Sequence, residues 1–182
     1  MSQRQTTLPS LYSLLIGGLC LLLSACSTLD RGQSPEIDRQ ATWVVVPFAN
    51  YTETPLAGNR AETVAEALLR ASGMRVLRYP LAAHREGLFD SGERKHQDEA
   101  LAWGKQKGAR YALAGAVDEW RYKVGVDGEA AVGVTLQIID LTTGETLWGG
   151  AGGKSGWSRE ALSAVAQQLI NDLLKSGLAG AR

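Results

Sequence analysis

Residues Arg110–Ala151 read RYALAGAVDEWRYKVGVDGEAAVGVTLQIIDLTTGETLWGGA, and their pattern decides the fold. They predict three strands in succession with no helix between them. Arg110–Lys123 is the first. Asp127-Gly128 follows, a two-residue hairpin signal between strands. In the second strand Val132, Val134, Leu136 and Ile138 alternate with Gly133, Thr135, Gln137 and Ile139. One face is therefore apolar, and the other becomes so only near its end. Leu141-Thr142-Thr143-Gly144 predicts the next turn, and Glu145–Ala151 the third strand. Short turns between neighbours make this a meander.

Toward the C-terminus, Leu162, Val165, Ala166, Leu169, Ile170, Leu173 and Leu174 form an unbroken helical stripe that Gly177 ends. Toward the N-terminus, a helix is expected over 96–107 behind an exposed polar loop at 80–95. Met74–Arg78 is a short strand. Ala61, Val64, Ala65 and Leu68 mark another helix, with Asn59-x-x-Glu62 as its capping box and Gly73 as its stop. Residues 50–58 read as a loop, and the β-branched run Thr42–Phe48 as a buried strand. The predicted class is α/β (α+β), a mixed sheet in the order β-α-β-α-β-β-β-α with helices packed on it. One globular domain spans 42–177, and 178–182 form a short tail.

Composition narrows the function. Nineteen Lys+Arg balance nineteen Asp+Glu, and 45% of residues are hydrophobic. A nucleic-acid binder normally carries a basic excess, so that class is disfavoured. The charge is absent from one place: residues 1–25 contain Arg4 and no carboxylate. Leu11–Leu23 is a greasy run too short for the ~20 apolar residues of a bilayer span. A charged start before a short apolar segment has the shape of a secretory signal.

Leu23-Ser24-Ala25-Cys26 resembles the bacterial lipobox, which implies that Cys26 is acylated and opens the mature chain. Ser27 after it, by resemblance to sorted lipoproteins, implies the outer membrane, where more than one acyl chain gives stable anchoring. Of two cysteines, Cys20 leaves with the greasy run, so no intramolecular disulfide can form. Residues 26–41 are expected to be the lipidated N-terminus and a flexible tether, since Ser27–Gln40 shows no apolar period.

Catalytic chemistry is hard to find. Gly149–Ser155 (GGAGGKS) suggests a phosphate loop, but the glycine required five residues before Gly153 is Trp148. His84 and His96 read as solvated residues without metal-ligand spacing. Asp118 and Glu119 are strand neighbours and are expected on opposite faces. Neither a nucleophile and base nor a cofactor site is expected, and the reading is that of a non-enzyme.

Three stretches carry a resemblance. They are Val46-Pro47-Phe48-Ala49-Asn50-Tyr51-Thr52 with Thr54-Pro55 and Ala57-Gly58-Asn59-Arg60, Asp118–Gly125 with Asp127-Gly128-Glu129, and Ser155-Gly156-Trp157-Ser158-Arg159-Glu160. Over residues 42–177 the chain resembles the PelC family, outer-membrane lipoproteins of Pel exopolysaccharide export. Gly108–Gly115 is similar to a broader group that includes CsgG and the N-terminal domain of TolB. The resemblance implies a dodecameric ring under the outer membrane, beneath a PelB-like β-barrel, serving a cationic polysaccharide and contributing to biofilm matrix. It implies that Asp127 lines the pore, with Glu129 adding to its field, and that Trp157 touches membrane lipid. Each residue has a second reading. Asp127-Gly128 serves equally as a turn, and Trp157 ahead of an N-cap at Ser158 could form a hydrophobic staple with Leu162. Two alternatives of function stand beside this one, an LpoB-like regulator of a peptidoglycan synthase and a CsgG-like secretion channel.

Overall fold

Alternation in the second predicted strand becomes the centre of one seven-stranded sheet. The structure is a computed structural model, and it describes residues 27–80, 93–125 and 128–181. In chain order the strands and helices are β1 (Ser27–Arg31), β2 (Thr42–Val45), β3 (Ala49–Asn50), α1 (Ala57–Ala71), β4 (Arg75–Arg78), α2 (Glu93–Gln106), β5 (Tyr111–Tyr122), β6 (Ala130–Asp140), β7 (Thr146–Ser155) and α3 (Leu162–Gly177). The sheet runs β1-β7-β6-β5-β2-β4, with β3 also pairing β5. Strands β4, β2 and β5 are parallel; β5, β6, β7 and β1 are antiparallel.

The two crossovers account for the layers. Chain leaves β2 through α1 to β4 on one side, then returns through α2 to β5 on the other. Crossovers of one hand that step in opposite directions place their helices on opposite faces. Ala61, Ala65 and Leu69 of α1 accordingly pack with Trp43, Val45 and Leu113, while Ala100 of α2 packs with Val44, Val46 and Ala112. The stripe of α3 joins the first of these faces, where Leu169, Ile170 and Leu173 are buried with Val134, Leu136 and Ile138. Two glycines permit its approach. A Cβ on Gly152 would stand 2.9 Å from Leu169, and one on Gly150 3.3 Å from Leu173.

Five expectations need correction. Ser27–Gln40 is not all coil: Ser27–Arg31 is a strand in antiparallel register with β7, Ser27 opposite Lys154 and Arg31 opposite Gly150. Further on, Ile37 is buried and bridges Ala181, so the tail also joins the fold. Backbone pairing does what side-chain pattern did not announce. Second, the run Thr42–Phe48 is broken: β2 stops at Val45 and β3 resumes at Ala49, with Pro47, which lacks an N–H, between them.

Third, α1 begins two residues before Asn59. Leu56 is its N-cap in a left-handed conformation, φ 60°, without a side-chain cap. The turn ahead is instead held by Asn50 and Thr54, whose hydroxyl donates to the Trp120 carbonyl. Fourth, Asp118 and Glu119 share a face. The β5–β6 register shifts between Val117 and Glu119, and a Cβ on Gly133 would lie 3.5 and 3.3 Å from their Cβ atoms. An inserted residue rotates its neighbour, which is how a bulge breaks alternation. Asp118 then accepts from Thr135 Oγ1 at 3.1 Å, and Glu119 from Arg121 Nε at 2.9 Å. Fifth, His96 is partly covered, its Nδ1 3.8 Å from Glu99. His84 lies outside the described residues.

Candidate functional site

The hairpin that carries the acidic candidates forms where β5 ends and β6 starts. Tyr122 pairs with Ala130, and the Lys123 N–H donates to the Glu129 carbonyl at 2.7 Å. Residues 124–128 therefore connect the strands, a longer link than a two-residue turn. Gly128 takes φ +52°, a left-handed value that a glycine adopts freely. Asp127 lies outside the described residues. Glu129 is exposed, with its carboxylate 3.8 Å from Lys123 Nζ; that ammonium also donates to Ser155 Oγ at 2.7 Å. Half-exposed pairs of this kind contribute about 1 kcal/mol or less. Their charges nonetheless offset one another at a distance.

Trp157 stands on the next connection at the same end of the sheet. Glu160 closes this turn twice, accepting from the Trp157 N–H through Oε2 and donating its own N–H to the Trp157 carbonyl, each at 2.9 Å. Helix α3 starts only at Leu162, with Ala161 rather than Ser158 as its N-cap. Trp157 therefore stands four residues ahead of the cap, and not directly before it as the staple reading required. The Leu162 N–H instead donates to the Tyr122 hydroxyl at 3.0 Å. Space explains the late start. A Cβ on Gly156 would come within 2.6 Å of Val165 and 2.8 Å of Glu160 Oε2, so strand end, turn and helix are wedged together. Trp157 is left 52% exposed.

Cys26 and residues 1–25 lie outside the described residues. The first described residue, Ser27, sits opposite Lys154, three positions before Trp157. The phosphate-loop lookalike 149–155 is strand, bonded to β6 on one edge and to β1 on the other. Its backbone donors serve ladders. Among the described residues there is no cluster of three metal-ligating side chains, and no helix is long and apolar enough to cross a membrane.

One acid read from the sequence only as part of a capping box is buried. Glu62 lies on the buried side of α1 and accepts the Phe48 N–H, while its Oε2 has no partner. Burial pushes this carboxyl up to about 7; Arg78 opposes the rise and the Glu66 charge adds to it. Glu66 itself is held by Arg70 at 3.0 Å and Arg78 at 3.6 Å. The signal in the sequence was its place on the apolar side of the α1 pattern, one residue from Ala61.

Known proteins bear on this arrangement. The family model described as the peptidoglycan-synthase activator LpoB matches residues 33–153. No curated protein matches the chain. A solved PelC dodecamer from Paraburkholderia phytofirmans is similar at 41% identity and TM-score 0.71, covering 86% of this chain and 99% of that one. A variant of that dodecamer, in another crystal form, gives 41% identity and TM-score 0.70, covering 83% and 97%. Lipoprotein GNA1162 from Neisseria meningitidis shares the fold at 16% identity and TM-score 0.54, covering 74% and 96%. At the broader level the chain belongs to the family that the LpoB model describes, and at the narrower level it belongs to PelC.

Proposed function

We propose that this chain is a non-enzymatic component of polysaccharide export. It is a lipoprotein anchored through Cys26 at the periplasmic face of the outer membrane, and it assembles into a ring. The ring guides a cationic exopolysaccharide, Pel, toward a PelB-like β-barrel and so contributes to biofilm matrix. The observation that carries this reading is 41% identity over 99% of a PelC chain that forms a dodecamer. Symmetry multiplies one acidic position per chain into a circle, and like charges around a low-dielectric opening attract a polycation. Because Glu129 faces Lys123, the field at this edge rests mainly on Asp127.

A second reading has one observation in its favour, the LpoB match over residues 33–153. An activator of that kind must reach its enzyme across the periplasm. Strand β1, paired from Ser27 onward, leaves no slack in that part of the chain for such a reach.

Native mass spectrometry of the mature lipoprotein separates the two. A dodecamer supports the ring, and a monomer supports the activator. Within a ring, Asp127→Lys should abolish polysaccharide secretion while the oligomer persists. Normal secretion by that variant would remove the electrostatic guide.

A further inference from the structure

Among the described residues β1 pairs with β7 alone, so it ends the sheet on that side. The Gly32 N–H donates to the Gly149 carbonyl at 2.9 Å, which fixes the phase of the ladder. Bonded and non-bonded pairs alternate along antiparallel strands. Thr28 and Asp30 therefore direct their backbone groups at β7, whereas the N–H and C=O of Leu29 and Arg31 point away from the sheet. An open row of this kind is a template for another extended chain.

A cleft runs beside that row. Leu29 and Arg31 lie opposite Gly152 and Gly150, the two glycines on which α3 rests, so their side chains share the α3 face. With Asp172, Lys175 and Ser176 of α3 they line a space of about 510 Å³. A volume of this order holds a small ligand or a few side chains. Ser34 closes one end, its hydroxyl donating to the Gly177 carbonyl at 3.2 Å and accepting the Gly180 N–H at 2.7 Å. Arg31, Asp172 and Lys175 form no ion pair with one another or with any other described residue. Two cations against one carboxylate leave the cleft positive.

We propose that the cleft between β1 and α3 takes an extended, acidic segment of a partner protein. The segment adds to β1 as a further strand and places a carboxylate between Arg31 and Lys175. Main-chain bonds to Leu29 and Arg31 supply affinity, and alternate side chains supply specificity. Residues two apart on the added strand share the α3 face, so an apolar side chain beside Leu29 goes with a carboxylate beside Arg31. Arginine receives a carboxylate through two parallel bonds. A second copy of this chain is the poorer occupant. Its β4 edge would bring Arg75 and Arg78, and its β1 edge another Arg31, toward the same cations. Like charges brought together in this way oppose pairing.

The test uses the mature lipoprotein in detergent micelles and a short fluorescent peptide. Valine, threonine, glutamate, threonine and valine stand at its centre, an order that serves either strand direction. Anisotropy should show saturable binding, about fivefold weaker when glutamine replaces the glutamate. Arg31→Gln should weaken it to a similar degree. Asp172→Asn should tighten it, a gain that damage to the fold would not give. N-methylation of alternate peptide amides should abolish binding in one phase and spare it in the other. Hydrogen exchange at the Leu29 and Arg31 amides should slow once the peptide is bound. Absence of saturable binding overturns the proposal. So does binding that ignores both the glutamate and Asp172, or that responds alike to methylation in both phases. Leu29 and Arg31 amides already protected in the peptide-free lipoprotein overturn the partner segment and point to a second copy on this edge.

Discussion

Val44 and Val45 are adjacent and both are buried, one against α2 and the other against α1; across the sheet Ile138 is buried while Gln137 beside it is exposed. The first pair belongs to the parallel half, which has helices on both faces. The second belongs to the antiparallel half, where α3 covers one face only. On the other face Thr135, Gly149, Ala151 and Gly153 are exposed or half-buried. A parallel sheet must be covered twice because its crossovers lie on it, whereas a meander needs covering once. Each half should therefore tolerate change in its own way.

The largest effect is expected where α3 meets the meander. Leu169 is 1% exposed and fits against the bare backbone of Gly152. Leu169→Ala removes that contact, and α3 cannot settle closer on a strand whose nearest residue already lacks a side chain. A loss of about 3–5 kcal/mol is expected, read as a lowered midpoint in urea unfolding. A loss below about 1 kcal/mol would mean that α3 repacks and that the covered face is less specific than its geometry.

A smaller effect, and one that depends on pH, is expected in the parallel half. Glu62 holds its proton to about pH 7 when folded, against 4.5 as its ordinary value. The folded carboxyl is raised, so the folded state binds more protons between those values. Its contribution is full below pH 4.5 and is lost as pH climbs through 7. At 1.36 kcal/mol per unit, complete ionisation costs up to about 3 kcal/mol. Glu62→Gln keeps an acceptor for the Phe48 N–H and removes the charge. Its stability advantage over the parent should grow from pH 5 to pH 8 and then level off. An advantage that is flat with pH would show that Glu62 ionises freely.

What could be read from the chain follows the same division. Alternation in residues 132–138 and the stripe of α3 were legible because one-sided burial writes itself into side-chain choice. β1 was not, since only Leu29 of STLDR packs on the core and the remaining attraction is backbone to backbone. The bulge at Asp118 was hidden for a related reason: register is a property of two strands, and neither one encodes it alone. The start of α1 was misplaced because Asn59 and Glu62 have the right types for a cap, while the actual boundary is set by Gly58 pressing on the Phe48 carbonyl, where a Cβ would stand at 2.4 Å. At the candidate site, turn chemistry made the hairpin visible. The roles given to Asp127 and Trp157 came from resemblance, because a ring position and a lipid contact leave no trace in one chain's periodicity. The exposure of Trp157 came from Gly156 and Glu160, which the sequence showed without showing that they meet.

The smallest effect is expected on the open face of the meander, and it sharpens the comparison most. Ala151 is exposed opposite Thr135, on the side away from α3. Replacing it by serine adds one hydroxyl to a surface already reached by water. Away from cores, caps and networks, such changes stay within about 0.5 kcal/mol. Ala151→Ser should therefore leave the urea midpoint of the separated subunit nearly unmoved, although the residue lies mid-strand in the sheet that Leu169→Ala disrupts. The outcome that would undo the contrast is a drop comparable with that of Leu169→Ala. It would mean that this face is buried in the folded subunit, and that both halves of the sheet obey the two-sided rule.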